Sequence, residues 1–237
     1  MGGATVTAVI PAAGSGSRMA AAVPKQFMDL NGYPLLDWTL TAISRAEEIT
    51  SIILVVPPDD VPRITGKYVG NPRWPKVAQA VAGGAKRADS VYNGVCAADA
   101  EWILAHDAAR PFVTPELIQR TVEAALRHGA AAAALPAHDT LKTRDGDFLG
   151  ETLDRAAVLH IQTPQVFRAA DFMAAHGRLR HEGREWTDET SLLQQAGIRV
   201  AWVRGEAANM KITTPDDFRL AGVLAERSPF VKSPARI

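Results

Sequence analysis

The sequence predicts an α/β fold: a mostly parallel sheet with helices on both faces. Three observations carry this. Short apolar runs alternate with helix-like stretches along the chain. Several runs are nearly continuous Ile, Val, Leu or Ala, as in strands covered on both sides. The loops of unusual composition, after Pro11, Val81 and His106, each follow such a run, and ligands in open α/β sheets lie outside the carboxyl ends of the strands. Alternation at this spacing implies crossover connections and therefore parallel neighbours.

The first strand is Val6–Pro11, followed by a small-residue loop with two cations. Tyr33–Arg45 reads as a helix with Leu35, Leu36, Leu40 and Ile43 on one face. Ser51–Val56 is a buried strand that Pro57 and Pro58 stop. Lys76–Val81 is a weaker strand ending at Gly83-Gly84, and a helix capped at Asp89 or Ser90 runs to Ala98. Trp102–Ala105 is a buried strand that ends in H-D-A-A-R-P. Pro115 and Glu116 start a helix to His128, and Gly129 closes it. Ala130–Pro136 is the next strand, Asp188–Ala196 a helix, Ile198–Val203 a strand and Pro215–Glu226 the last helix. His138 to Leu159 breaks the alternation. Asp145-Gly146 is a hairpin signal, so this segment is expected to be a β-hairpin arm leaving the sheet. The tail after Ser228 is expected to fray.

No linker or repeat divides the 237 residues, which suit one domain spanning 1–237. Formal net charge is zero, whereas a nucleic-acid groove normally carries a basic excess. No run approaches 18 apolar residues, so no membrane span is expected. Cys96 is the single cysteine and cannot form an internal disulfide. It reads as a buried helix thiol in a cytoplasmic protein.

The stretch from Val9 to Gln26 is the strongest candidate for chemistry. Gly14 and Gly16 allow backbone angles closed to other residues and a close approach of a ligand. Backbone amides there can face an anion, and Arg18 and Lys25 add fixed positive charge. The string is neither G-x-x-x-x-G-K-[ST] nor G-x-G-x-x-G. Read by itself it has a plainer alternative, an ordinary strand-to-helix turn with two surface cations. Gly83 to Ser90 is a second glycine-led loop, able to hold a base or merely to cap a helix. Asp107 at a strand end can hold Mg²⁺, a metal-bound water or a ribose hydroxyl, and Arg110 a phosphate; a capping salt bridge is the plainer alternative. No H-x-x-x-H pair and no G-x-S-x-G elbow occur.

In chain order the strings P-A-A-G-S-G-S-R-M, P-K-Q, G-G-x-x-R-x-D-S, H-D-A-A-R-P, D-T-L-K, L-D-R, Q-T-P-Q, T-D-E and N-M-K-I-T-T-P-D-D appear between about residues 6 and 226. Together they resemble the 2-C-methyl-D-erythritol 4-phosphate cytidylyltransferase family of the non-mevalonate isoprenoid pathway. The resemblance implies a Rossmann-like sheet of the nucleotide-diphospho-sugar transferase type with a protruding dimer arm at about 138–159. It implies transfer of CMP from CTP to the alcohol phosphate with release of pyrophosphate. Related pentitol-phosphate enzymes tend to carry L-A-G-G and H-D-S-V-R-P where this chain has Pro11 to Gly14 and H-D-A-A-R-P. An enzyme for a pentitol phosphate such as ribitol 5-phosphate is the neighbouring alternative, and a non-catalytic nucleotide-binding module a second.

By the same resemblance Arg18 and Lys25 stabilise the transition state. Ala12, Ala13, Gly14, Gly84, Ala85, Ser90 and Asp107 bind the nucleotide. Arg155 and Lys211 hold the alcohol phosphate, supported by Thr140, Arg110, Thr163 and Thr187. Mg²⁺ is the expected cofactor, held mainly by CTP phosphates, with no protein ligand assigned and Asp107 placed to assist. The implied assembly is a homodimer with shared active sites, Thr140 and Arg155 serving the partner subunit's site. Ala85 departs from the family, which usually has an acid there; if only main-chain groups at that position meet the cytosine, the change is harmless.

Overall fold

The computed structural model describes residues 4–14, 24–180 and 186–227. Gly16, Arg18 and the tail after Ser228 lie outside them. A seven-stranded sheet forms the centre, in the order β11-β7-β10-β6-β1-β4-β5. Its strands are β1 Val6–Pro11, β4 Ile49–Val56, β5 Val77–Ala82, β6 Trp102–Ala105, β7 Ala130–Pro136, β10 Leu159–Arg168 and β11 Ala201–Arg204. β5, β4, β1 and β6 are mutually parallel, as are β11 and β7; β10 runs antiparallel between β6 and β7. From β1 the chain first builds outward through β4 and β5, then returns to place β6 on the other side of β1. The carboxyl ends of β1 and β6 therefore flank a topological switch point, where adjacent loops diverge and leave a crevice.

The period of two along each strand sorts the core into two faces. On one face, Ala8, Ile10, Ile52, Leu54 and Leu104 pack with α1 (Leu35–Ser44), α2 (Val61–Tyr68) and α4 (Pro115–His128). On the other, Val9, Ile53, Val55, Ile103 and Phe167 pack with α3 (Arg87–Cys96), α5 (Ala169–Leu179) and α6 (Glu189–Gln195). A third cluster joins Leu30, Trp38 and Phe112 to Ile212 and α7 (Pro215–Arg227). Among the described residues no helix is long and apolar enough to cross a membrane.

Several expectations change in detail. The helix expected from Tyr33 begins at Leu35, because Tyr33-Pro34 (β3) pairs with Asp29-Leu30 (β2) around Asn31-Gly32, both at positive φ; this is the Asn-Gly hairpin preference. The helix after Gly84 opens at Arg87. Asp89 is its third residue, accepting the Lys86 amide at 3.2 Å, and not its cap. The last strand starts at Ala201, later than Ile198. β10, α5 and α2 are additional. A proline is disfavoured within a central strand; Pro164 of β10 lies where the β10–β7 register shifts between Ile161 and Gln165. Cys96 is exposed, contrary to expectation, since α3 buries Ser90, Val91, Gly94 and Val95 and turns position 96 outward. Gly14 has no left-handed backbone angle, and a side chain there would point into open space.

The expected arm is a two-stranded ribbon, β8 Leu141–Asp145 and β9 Phe148–Leu153, turning at Gly146 with φ +56°. Phe148 and Leu149 are 79% and 80% exposed.

Gly94 sets the distance between α3 and the sheet. A Cβ there would lie 2.4 Å from Val9 Cγ1 and 2.8 Å from Val55 Cγ2, and β-branched side chains have little rotamer freedom to yield. Gly94→Ala should cost about 1–3 kcal/mol, lowering Tm by roughly 2–4 °C per kcal/mol at this chain length. A thermal melt as high as wild type would show that the interface opens to take the methyl.

Candidate active site

At the switch point, three loops meet around one cavity. Pro11, Ala13, Gly14, Lys25, Gly84, Ala85, Lys86, Arg87, Ser90, Asp107 and Lys211 all line it. The first loop continues β1: the Ala12 amide donates to Val55 O at 2.7 Å, and Ala12 O accepts the buried Gln26 side chain at 2.6 Å. That bond ties the short helical turn Lys25–Phe27 to the strand end and so delivers Lys25, whose Nζ donates to Ile212 O at 3.2 Å.

The second loop needs both its glycines for space. A Cβ on Gly83 would meet Ala13 Cβ at 2.6 Å; one on Gly84 would meet Asp89 Cβ at 2.4 Å. Ser90 Oγ donates to Lys86 O and accepts the Gly84 amide, each at 3.1 Å, which closes the loop on itself.

The third loop carries Asp107. Its carboxylate meets Lys211 Nζ at 2.9 Å, Arg87 Nη2 at 3.1 Å and Arg110 Nε at 3.5 Å. Burial alone would raise its pKa, but Arg87, Lys211 and Arg110 outweigh burial and hold the carboxyl well below the usual range. Arg87 reaches onward to Glu189, a buried carboxylate at the start of α6.

A layer of buried polar groups supports these loops. Thr163 Oγ1 accepts the Asp107 amide at 3.1 Å and lies 3.0 Å from His106 Nδ1. His106 Nε2 faces Arg110 O at 3.0 Å; a carbonyl only accepts, so the ring proton sits on Nε2 and Thr163 donates to Nδ1. Gln162 bonds Glu206 and Asn209, Asn209 Nδ2 donates to Thr163 O at 2.8 Å, and Arg110 Nη1 donates to Asn209 O at 2.8 Å. Gln165 Oε1 accepts the amides of Glu189 and Thr190 at 3.1 Å.

The predicted residues thus fall into three groups. Ala13, Gly14, Lys25, Gly84, Ala85, Ser90, Asp107 and Lys211 share the cavity, with Ala12 buried behind it. Arg110 and Thr163 lie buried beneath, bonded to the loops. Thr140 and Arg155 lie at the arm, where Arg155 Nη1 donates to His138 O at 2.8 Å; Thr187 is exposed ahead of α6, and none of these three lines the cavity. Arg18 falls outside the described residues. Arg87 and Glu189 are additions; the signal for them was their place inside G-G-x-x-R-x-D-S and T-D-E.

The family model for 2-C-methyl-D-erythritol 4-phosphate cytidylyltransferase (IspD) matches residues 6–227. The chain belongs to this family. A curated relative of that name from Geobacillus kaustophilus is 41% identical over 222 residues, covering 93% of this chain and 97% of its own length. The solved structure of 4-diphosphocytidyl-2C-methyl-D-erythritol synthase from Anaerococcus prevotii superposes with a TM-score of 0.79 at 33% identity, covering 95% of this chain and 100% of that one. The Thermus thermophilus cytidylyltransferase gives 0.75 at 37% identity, covering 92% and 98%. The chain is a cytidylyltransferase with a Rossmann-like, mostly parallel sheet, as the sequence predicted.

In this cytidylyltransferase His106 has a thermodynamic signature. Burial pushes its pKa from 6.5 to about 4, against the Arg110 carbonyl and the Asp107 charge. Between those values the unfolded chain binds the proton and the folded chain does not. His106 therefore stabilises fully above about pH 6.5 and loses that contribution as pH falls toward 4, a change of roughly 3 kcal/mol. His106→Gln should flatten the fall in urea-unfolding free energy between pH 6.5 and 4. A slope as steep as wild type would assign the proton uptake to another group.

Proposed function

We propose that this cavity is where the chain transfers CMP from CTP to 2-C-methyl-D-erythritol 4-phosphate, releasing pyrophosphate. The observation that carries this reading is the gathering of Lys25, Arg87 and Lys211 beside main-chain loops around one carboxylate, a setting for a nucleoside triphosphate and a second phosphate.

A phosphate oxygen of the alcohol substrate forms a bond to the α-phosphorus of CTP, and the bond from that phosphorus to the pyrophosphate oxygen breaks. The attacking group is largely anionic near neutral pH, since its second pKa is about 6, so no general base is required. The work lies in bringing anions together and in stabilising charge at the α-phosphorus. Lys25 and Arg18 take that role in our reading, and Lys211 holds the incoming phosphate. Main-chain groups of Gly83–Ala85 select cytosine, which leaves Ala85 without consequence.

Asp107 is the lining carboxylate, and among the described residues no cluster of three His, Cys, Asp or Glu could hold a metal. One carboxylate suits Mg²⁺, which keeps waters and takes substrate phosphates as ligands. Asp107 would hold it, and the ion would neutralise triphosphate charge when bound.

We read residues 1–237 as a single domain acting as a cytoplasmic homodimer, the cytoplasm being suited to the free, exposed thiol of Cys96. An isolated two-stranded ribbon is marginal in water, and the apolar tip at Phe148 and Leu149 needs a surface. A two-fold-related arm would provide one and would bring Thr140 and Arg155 to the other subunit's cavity.

Pyrophosphate release is expected with CTP and the methylerythritol phosphate, with ribitol 5-phosphate turned over poorly. UTP should be weaker by roughly ten- to a hundredfold, the cost of leaving a buried acceptor unpaired. Turnover of ribitol 5-phosphate as the better substrate would overturn the assignment. Lys25→Ala should lower kcat by roughly 10²–10³.

Sharing of sites has its own test. Homodimers of Arg155→Ala and of Lys25→Ala should be nearly inactive, and mixed dimers should recover activity because one of their two sites keeps both cations. No recovery after verified subunit exchange would place Arg155 in its own chain's site.

A further inference from the structure

We propose that Glu189 is a positioning residue for cytidylyl transfer: through Arg87 it fixes the direction of the Asp107 carboxylate at the cavity wall. The proposal rests on the function assigned above.

Arg87 is the first residue of α3 and lines the cavity beside Lys86 and Ser90. Its guanidinium is divided between two carboxylates. Nε and Nη2 address a single oxygen of Asp107, Oδ1, at 3.3 and 3.1 Å. Nη1 donates to Glu189 Oε1. The guanidinium is a rigid plane, so a pin at Nη1 fixes where the Nε–Nη2 edge points. Without it, Arg87 can turn about its own stem toward any polyphosphate in the cavity and release Asp107. Asp107 Oδ2 is left to Lys211 and Arg110, so the two oxygens of this carboxylate have separate partners.

Glu189 does not line the cavity. It is 1% exposed, and its main chain is fixed to the sheet through Gln165. Its second oxygen, Oε2, is buried without a hydrogen-bond partner among the described residues. A pair buried on these terms is poorly explained as a source of stability, because replacing such pairs by apolar residues is often neutral or favourable. The arrangement instead leaves one oxygen unsatisfied while holding Arg87 in one orientation. Burial pushes Glu189 toward the neutral form and Arg87 opposes this, so the carboxylate depends on Arg87 as Arg87 depends on it. The pair also joins two elements with different tasks. α3 begins in the Gly83–Ser90 loop, and α6 begins just after Thr187.

The test uses Glu189→Gln, Arg87→Met and the double variant, with Asp107→Asn and wild type in the same pyrophosphate-release assay. Glu189→Gln keeps the shape and loses the charge. Its KM for CTP should rise ~10-fold or more, with kcat/KM for CTP down roughly 10–100-fold, the range for losing a supporting partner of this kind. KM for the alcohol phosphate should stay within about twofold of wild type, since an unpinned Arg87 acts on the nucleotide side. A merely structural role would reduce the folded fraction and leave both KM values unchanged. Because Glu189 acts through Arg87, the double variant should be no worse than Arg87→Met.

A folded Glu189→Gln enzyme with wild-type KM for CTP overturns the proposal. So do losses that multiply in the double variant. Each single variant leaves a buried group without its partner. If neither purifies folded, the double variant, which removes both charges, decides alone: a CTP KM raised ~10-fold or more supports the proposal, and a wild-type value overturns it. No CTP turnover by wild type, or full activity of Asp107→Asn, would instead defeat the function assigned above.

Discussion

The arrangement around the cavity depends on one buried carboxylate that cannot be left alone. Asp107 sits 7% exposed at the end of a central strand, where an isolated negative charge would be strongly disfavoured. Its neutralisation comes from three places in the chain: Arg87 at the start of α3, Arg110 three residues on, and Lys211 after β11. These elements follow different strands, and only the folded sheet brings them within 4 Å of one another's partner. The same charge that must be satisfied thus acts as the register mark for three loops. It also keeps these positive side chains gathered, where their mutual repulsion would otherwise spread them.

Beneath that charge lies a polar layer that gives several sequence strings their meaning. Gln162 and Gln165 flank the Thr163-Pro164 peptide, which is cis. One binds the Glu206–Asn209 turn, the other the amides opening α6. Gly205 is tightly constrained, because a Cβ there would meet Gln162 Oε1 at 2.4 Å. Q-T-P-Q is therefore a junction at the register shift of β10, whose two glutamines hold the Glu206–Asn209 turn on one side and the start of α6 on the other.

What the sequence disclosed follows the reach of its signals. Apolar runs such as Ile52–Val56 and Ile103–Ala105 have one plausible environment, so β4 and β6 were legible. Lys25, Asp107 and the Gly83-Gly84 loop were legible because each follows a strand end. β10 was not, since Gln162, Thr163 and Pro164 in a central strand make sense only when their remote partners are known. Glu189 was hidden for a related reason: on a helix start an acid looks like a favourable interaction with the helix dipole, and only the fold shows that it is buried against Arg87. Cys96 misled because thiols are commonly buried, whereas the face of α3 on which it falls is set by Gly94 and Val95 packing inward.

That outward turn gives the molecule a chemically unique handle. The chain has one thiol, and it lies at the far end of the helix whose first residue meets Asp107. It lies nine residue steps along the α-helix from Arg87, about 14 Å at the usual rise. A thiol-reactive fluorophore would attach at a single position beyond direct contact with the cavity. Its neighbour one turn back on the helix is Tyr92, whose ring stacks on His176 at 4.2 Å, and Asp89, the partner of His176, also holds the loop amide of Lys86. A shift of the Gly83–Ser90 loop would be carried along a rigid helix to a reporter placed there.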